Sequence, residues 1–179
     1  LMAMAEPLPA ACRINGTRDV MRVLITADAA SGKSVTMQKV IYGCCKWRHR
    51  DLNDVVPILI QIIDLQRSMA SHRVDFDDDH CDLVAVYLRL VFAGSDDERY
   101  HMLMQAYESR RVLLLLDGID EGGEFKARIE DFVTVYLVQQ RVSLIVTSRP
   151  EGFTKSKYST DTFTHLKLAP LSRKQQEQI

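Results

Sequence analysis

The sequence predicts an α/β fold with a mostly parallel sheet, and two observations lead to this prediction. Short apolar runs recur along the 179 residues, and most are nearly uninterrupted Val, Ile and Leu, which is typical of strands covered on both faces. Segments with helical spacing separate the runs, and this alternation favours right-handed strand–helix–strand crossovers. The predicted strands are 22–26, 56–63, 112–116, 142–148 and 163–169.

The intervening segments have the apolar periodicity of helices that pack on a sheet. Spacing of the type i, i+3, i+4, i+7 begins at Met37, and a similar pattern begins at Ile129. Residues 82–93 are apolar almost all round, which predicts a buried helix. Ser95 and Glu98 have the spacing of a capping box, so we expect the next helix to begin there.

Composition and charge exclude several classes of function. The net charge of -1 provides no electrostatic basis for binding nucleic acid or an anionic membrane surface. No apolar stretch approaches the roughly 18 residues of a spanning helix. The basic segment 46–50 falls where the first helix should end, and cations there complement the helix dipole. The acidic segment 75–82 lacks the spacing of a calcium loop and is interpreted as the approach to a helix. We therefore expect neither a nucleic-acid partner nor a membrane partner.

The cysteines indicate a reducing compartment. The chain has four cysteines, two of them adjacent, and their spacing suits neither a disulfide framework nor a zinc site. Free thiols are the simplest interpretation, so we expect a cytoplasmic protein.

The chain is predicted to contain one core domain over residues 20–170. Residues 1–19 form a lead-in segment without the basic start of a signal peptide. Residues 171–179 are predicted to begin a following helix that is truncated. Because the sequence starts with Leu1, we expect a piece of a longer polypeptide.

The segment ADAASGKS, from Ala27 to Ser34, follows a predicted strand and precedes a predicted helix, which is the context of a phosphate-binding loop. Its backbone N–H groups would cradle phosphate oxygens, and the helix would add its dipole. Gly32 would let the backbone approach closely, Lys33 would place its charge on the β- and γ-phosphates, and the Ser34 hydroxyl would ligate Mg²⁺. The predicted nucleotide-contacting residues are Ala27, Asp28, Ala29, Ala30, Ser31, Gly32, Lys33, Ser34 and Val35.

Alanine at positions 27 and 30 of this loop leaves alternatives open. If Ala27 needed a left-handed backbone, the cost would be about 1–2 kcal/mol, roughly one hydrogen bond. A slowly hydrolysing site and a site that holds nucleotide without turnover are both compatible with the segment. Taken alone, it could also be a Gly-Lys-Ser turn at an ordinary helix start.

The apolar run 112–116 ends in a cluster of acids. Asp117 lies at the strand tip, where its carboxylate could hold Mg²⁺ beside Ser34. A carboxylate three or four residues later can orient and deprotonate an attacking water, and Asp120 and Glu121 both qualify. We favour Glu121 as the base and Asp120 as a second metal-side carboxylate, although the two could exchange roles.

The run 142–148 ends in polar residues. If this strand lies between the first and third strands, Thr147, Ser148 and Arg149 face the γ-phosphate, and Arg149 could sense its presence. The alternative is that Arg149 is a solvated loop residue before Pro150.

Together these motifs resemble the NACHT family of P-loop NTPases, within the STAND class of signal-transduction ATPases. The similar segments are ADAASGKS at 27–34, LLLLDGIDE at 113–121, LIVTSRPEGF at 144–153 and LKLAPLS at 166–172. The most specific of them is the pattern Asp-Gly-hydrophobic-Asp-Glu at the end of a strand. The resemblance covers roughly residues 20 to 175.

This resemblance implies a five-stranded parallel core in the order 5-1-4-3-2, with helices on both faces. It implies ATP or GTP with Mg²⁺, and a slow hydrolase that switches between a closed form and an open form that oligomerises. Self-association would then depend on domains adjacent to this core. The implied roles are phosphate and Mg²⁺ binding for Lys33 and Ser34, Mg²⁺ binding for Asp117, hydrolysis for Asp120 and Glu121, and γ-phosphate sensing for Arg149.

Overall fold

A computed structural model describes residues 20–28, 31–46 and 55–169. Within these ranges, parallel strands form one five-stranded sheet in the order β2-β3-β4-β1-β5. The predicted α/β class and strand order are confirmed, and β4 lies between β1 and β3. The strands are β1 (Arg22–Thr26), β2 (Val56–Gln61), β3 (Val112–Asp117), β4 (Ser143–Ser148) and β5 (Thr164–Lys167).

Helices cover both faces of the sheet, as predicted. Helix α1 packs on one face, where its buried Met37 joins an apolar cluster with Val23 and Ile25 of β1. The other helices pack on the opposite face around a larger cluster. The helices are α1 (Lys33–Lys46), α2 (Ile62–Ser71), α3 (Leu83–Phe92), α4 (Asp97–Glu108) and α5 (Lys126–Asp131), which continues as a π-helical segment (Phe132–Leu137). Short 3₁₀ turns lie at Arg73–Phe76, Ile119–Glu121 and Gly123–Phe125.

Strand β3 explains why the apolar runs are continuous. All six of its residues are buried. Leu113 and Leu115 belong to the cluster under α1, whereas Leu114 and Leu116 belong to the cluster on the opposite face. Side chains of a strand alternate between the two faces, so a strand covered on both sides needs apolar residues at every position.

Strand β5 differs from the expectation of full burial. It forms an edge of the sheet and pairs with β1, and all four of its residues are exposed. The prediction of a strand here is confirmed, but its burial on both faces is not. The polar residues Thr164, His165 and Lys167 suit this edge position.

The second predicted strand ends earlier than the apolar run suggests. Helix α2 begins at Ile62, directly after β2 ends at Gln61. The pattern of apolar residues does not distinguish the end of a buried strand from the first turn of a buried helix, since both are apolar. The apolar run therefore continues to residue 63 although the strand ends at Gln61, and α2 is not evident from the sequence.

The amino ends of α3 and α4 are capped by aspartates. The Asp82 carboxylate accepts hydrogen bonds from the backbone N–H groups of Val84 and Ala85, as expected for an acidic approach to a helix. Asp96, rather than Ser95, caps α4, because its carboxylate accepts from Arg99 N at 3.1 Å. The capping-box prediction at Ser95 was therefore wrong.

Candidate active site

The loop after β1 is tied to the end of β4. Ala27 is fully buried, and its N–H donates to the carbonyl of Ser148 at 3.1 Å. Gly32, just before α1, has φ of +88°, a left-handed conformation that favours glycine. Thr36 N donates to the Gly32 carbonyl at 2.8 Å, which begins the hydrogen-bond ladder of α1. The amides that precede Thr36 in this first turn lie before the start of the ladder and form a site of positive potential.

The side chain of Lys33 folds back onto the loop that precedes it. Its Nζ donates to the carbonyl oxygens of Ala27 at 3.0 Å and Asp28 at 3.1 Å. Ser31 is buried, and its Oγ also donates to the Asp28 carbonyl at 2.5 Å. The ammonium group is therefore held by two carbonyl oxygens of the loop that precedes α1.

The remaining loop positions divide into two groups. Ser34 and Val35 are exposed in the first turn of α1. Ala29 and Ala30 lie outside the described residues, and so do the predictions for residues 1–19 and 171–179.

Ala27 does not have the conformation that would make alanine costly there. Positive φ angles at non-glycine positions occur, within the described residues, at Arg110 and Arg141. Ala27 therefore bears no free-energy cost for a left-handed backbone.

Asp117 lies at the tip of β3 and contacts the neighbouring strand. It is buried, with an exposed fraction of 8%. Thr147 Oγ1 of β4 donates to Asp117 Oδ1 at 2.5 Å and accepts from Gly118 N at 2.8 Å. Gly118 has φ of +81°, so the chain turns sharply directly after the carboxylate.

Asp120 and Arg149 contact each other. The backbone N–H of Arg149 donates to Asp120 Oδ1 at 3.1 Å, and its Nε lies 3.1 Å from Oδ2. The Asp120 side chain is only 11% exposed, whereas that of Arg149 is 59% exposed. The same carboxylate therefore fixes the start of the loop after β4 and holds the arginine head at the surface.

Glu121 is exposed and folds back toward the strand tip. Its N–H donates to the Gly118 carbonyl at 2.8 Å in a 3₁₀ turn. A Cβ placed on Gly118 would lie 3.2 Å from Glu121 Cδ, so the carboxyl group lies close to that glycine. Glu121 is thus near Asp117 in the chain and open to solvent.

A chain of contacts connects the two predicted motifs. Lys33 contacts Ala27, Ala27 contacts Ser148, and the adjacent Thr147 contacts Asp117. Parallel strands place their carboxyl ends at the same edge of the sheet, so these contacts lie side by side there. The loop and the acidic strand end therefore lie at the same edge of the sheet, each in contact with the end of β4.

The donor groups at this edge fit a magnesium–triphosphate complex. The carboxylate of Asp117 and the hydroxyl of Ser34 are hard oxygen ligands of the type that Mg²⁺ prefers. Lys33 and the amides at the start of α1 supply positive charge for phosphates.

Two features of this edge were not identified from sequence. A Cβ on Gly152 would overlap the Cβ of Asp120 and lie 2.9 Å from Ser148 Oγ, so this glycine allows the loop to pack on the strand ends. Glu130 of α5 is buried, and its carboxylate accepts from Thr154 N at 2.8 Å and Thr154 Oγ1 at 2.7 Å. The available signals were a glycine in RPEG and an acid within an apolar helix pattern, and neither is specific.

Other concave and nucleophilic features lie apart from this edge. An open groove of about 640 Å³ separates the segment 79–83 from α5 and its π-helical continuation, and no predicted site residue lines it. Burial raises the pKa of the Cys44 thiol and of the Cys81 thiol, which disfavours either as a nucleophile. In the described part of the chain, no helix is both long enough and apolar enough to cross a bilayer.

Comparisons with known proteins identify a matching family and a similar solved structure. The family model of the NACHT domain matches residues 21–179. Among solved structures, a chain in the structure of Drosophila ORC bound to AT-rich DNA and Cdc6 is similar, with 10% sequence identity and a TM-score of 0.40. That similarity covers 85% of this chain and 51% of the other, so this chain spans about half the length of the ORC-complex chain. Comparison with curated proteins gives no match.

Proposed function

The chain belongs to the NACHT domain family, a family of nucleotide-binding NTPase modules, and from this premise we propose that it binds ATP or GTP with Mg²⁺ and hydrolyses the nucleotide slowly. In this proposal the bound nucleotide gates a signalling switch that self-associates through adjacent domains. The observation that supports it best is the series of contacts from Lys33 through Ala27 and β4 to Asp117.

The binding step would use the loop and the strand tip. Lys33 and the amides at the start of α1 would hold the β- and γ-phosphates, after Lys33 exchanges its carbonyl contacts for phosphate oxygens. Ser34 and Asp117 would hold the Mg²⁺, which neutralises charge on the phosphates when it is bound. The other predicted loop residues from Asp28 to Val35 would contribute backbone contacts, whereas the N–H of the predicted residue Ala27 already donates to the Ser148 carbonyl.

The contacts favour Glu121 over Asp120 as the base that activates water. Both oxygens of Asp120 are already engaged by Arg149, whereas Glu121 is exposed next to the strand tip. Asp120 would then act on Arg149 and not on the metal. Arg149 could still sense a γ-phosphate, because an ion pair that is exposed on the arginine side contributes only about 0–1 kcal/mol.

The test of binding is the substitution Lys33→Ala. At a nucleotide concentration 100-fold above Kd, we expect Mg-ATP to stabilise the parent protein by about 2.7 kcal/mol, or about 5–10 °C in Tm. Lys33→Ala should abolish this shift in thermal unfolding, because the charge that contacts the phosphates is lost. Lys39→Ala is the matched control, since it removes an exposed lysine from the same helix and should keep the shift. An equal rise of Tm in Lys33→Ala and the parent would place the site elsewhere.

A non-hydrolysing nucleotide-binding scaffold is the second candidate. It is favoured by the engagement of Asp120 with Arg149, which leaves an exposed glutamate as the remaining candidate base. Mg²⁺-dependent phosphate release that falls by about 10²–10⁴-fold in Glu121→Gln would select the hydrolase. Saturable Mg-ATP binding with phosphate release at background in the parent protein would select the scaffold.

We also place this switch in the cytoplasm. Cys44, Cys45 and Cys81 are free thiols, which agrees with a reducing compartment.

A further inference from the structure

We propose that Thr147 is a positioning residue that orients the Asp117 carboxylate for magnesium, and this inference rests on the proposed function. Thr147 is completely buried near the end of β4. Its one hydroxyl group contacts both the carboxylate at the tip of β3 and the amide of Gly118 that follows it.

The donor and the acceptor in each of these two hydrogen bonds follow from the groups that form them. The Gly118 N–H is a donor, so Thr147 Oγ1 accepts from it at 2.8 Å. The single hydroxyl proton is then free to point at Asp117 Oδ1, which lies at 2.5 Å and accepts when the carboxylate is ionised. A β-branched side chain in a strand has few χ1 choices, which restricts the hydroxyl further.

The two oxygens of the Asp117 carboxylate therefore have different surroundings. Oδ1 is anchored to β4, and within the described residues no hydrogen bond reaches Oδ2. Oδ2 is therefore the oxygen available to a cation or to a water of its shell. Because, among the described residues, Thr147 alone donates a hydrogen bond to this carboxylate, loss of the anchor would let the carboxylate rotate relative to Lys33 and Ser34.

The experiment separates positioning from simple stability. Thermal unfolding is measured for each variant with ATP plus EDTA and with ATP plus Mg²⁺, and the difference in Tm is the magnesium increment. A general loss of stability lowers the Tm under both conditions, so it cancels in the difference. Thr147→Val removes the hydroxyl at nearly constant shape, Thr147→Ser restores it, and Asp117→Asn provides the reference for a lost carboxylate.

We expect Thr147→Val to lose most of the magnesium increment and to match Asp117→Asn, while Thr147→Ser retains it. The double variant should lose no more than either single variant, because both act on one group. Thr134→Val is the matched control: it removes a hydroxyl that donates to the Glu130 carbonyl within a helix, and it should keep the full increment.

The outcomes distinguish the two proposals. An increment in Thr147→Val equal to that of the parent overturns the role of Thr147 alone. A parent protein without any magnesium increment overturns both this role and the proposed function. If Thr147→Val does not fold, Thr147→Cys tests the same step, since a thiol is a weak donor. A full increment in Thr147→Cys would overturn the proposal, and a partial one would support it.

Discussion

Gly152 controls how closely the loop after β4 packs on the strand ends. Its N–H donates to the Arg149 carbonyl at 2.9 Å, which closes a turn directly after the strand. On its other side there is no room for a side chain, because a Cβ would overlap Asp120 and approach Ser148 Oγ to 2.9 Å. The contact between Asp120 and Arg149 therefore depends on the absence of a methyl group two residues after Pro150.

We expect Gly152→Ala to lower the free energy of unfolding by about 1–3 kcal/mol, because overpacked sites force shifts of backbone and side chains. Gly43→Ala is the matched control, since a Cβ at Gly43 meets nothing within 4 Å and lies inside α1. That change should raise stability by about 0.5–1 kcal/mol. Urea unfolding of both variants measures the two effects, and effects of the same sign would contradict this account.

Ala27 shows what residue type alone leaves undetermined. If the backbone at this position were left-handed, alanine would carry a free-energy cost. Among the described residues of the loop, Gly32 has the left-handed backbone, while Ala27 is buried and its N–H donates to the Ser148 carbonyl of β4. The backbone conformation at a loop position depends on where the neighbouring strand holds it, and a composition pattern does not contain that information.

Among the elements, α3 shares one carboxylate, that of Asp82, with two of its neighbours. Asp82 caps α3 at Val84 and Ala85, and it also accepts from the hydroxyl groups of Tyr107 on α4 and Tyr136 in the π-helical segment. Burial, followed by the charge of Asp82, raises the pKa of Tyr107, so this hydroxyl stays protonated as a donor. Asp82 thus joins three elements that are far apart in the sequence.

We expect Asp82→Ala to destabilise the protein more than Asp96→Ala does. Loss of a cap costs about 0.5–2 kcal/mol in each case. Asp82→Ala also leaves the buried Tyr107 hydroxyl without its acceptor, which adds about 1–3 kcal/mol. Asp96 caps α4 in an exposed position and is the matched control. Equal losses by chemical denaturation would show that the tyrosine contacts contribute nothing.

The loop between β4 and β5 is pinned to α5. The buried Glu130 accepts two hydrogen bonds from Thr154, and Lys157 Nζ lies 2.7 Å from Asp131. Tyr158 and Phe163 of the same connection are buried in the core. This connection is therefore anchored at both its polar and its apolar residues.

At the scale of the whole molecule, strand order brings the predicted motifs together. The loop after β1 and the acid at the end of β3 are separated by about 90 residues in sequence, but one strand separates them in the sheet. That strand, β4, contacts both: Ser148 accepts from Ala27, and Thr147 donates to Asp117. The loop after β1 and the tip of β3 are thus both hydrogen-bonded to the end of β4, which lies between β1 and β3.

The sequence by itself determined the α/β class and the core of each strand in the described residues, and it predicted a phosphate-binding loop after β1 and an acidic end of β3. These features are local: burial on both faces requires a continuous apolar run, and a phosphate loop requires small residues, a lysine and a helix start in one segment. The family resemblance further predicted the strand order, which the structure confirms.

Only the tertiary structure decided which polar groups pair at the site. Thr147 with Asp117, Asp120 with Arg149 and Glu130 with Thr154 are pairs separated by 24 to 30 residues. Periodicity reports which face of an element is apolar, but it does not report which polar side chain lies opposite another. Such pairings follow from strand register and from the path of the connecting loops, so they become visible only when the chain is folded.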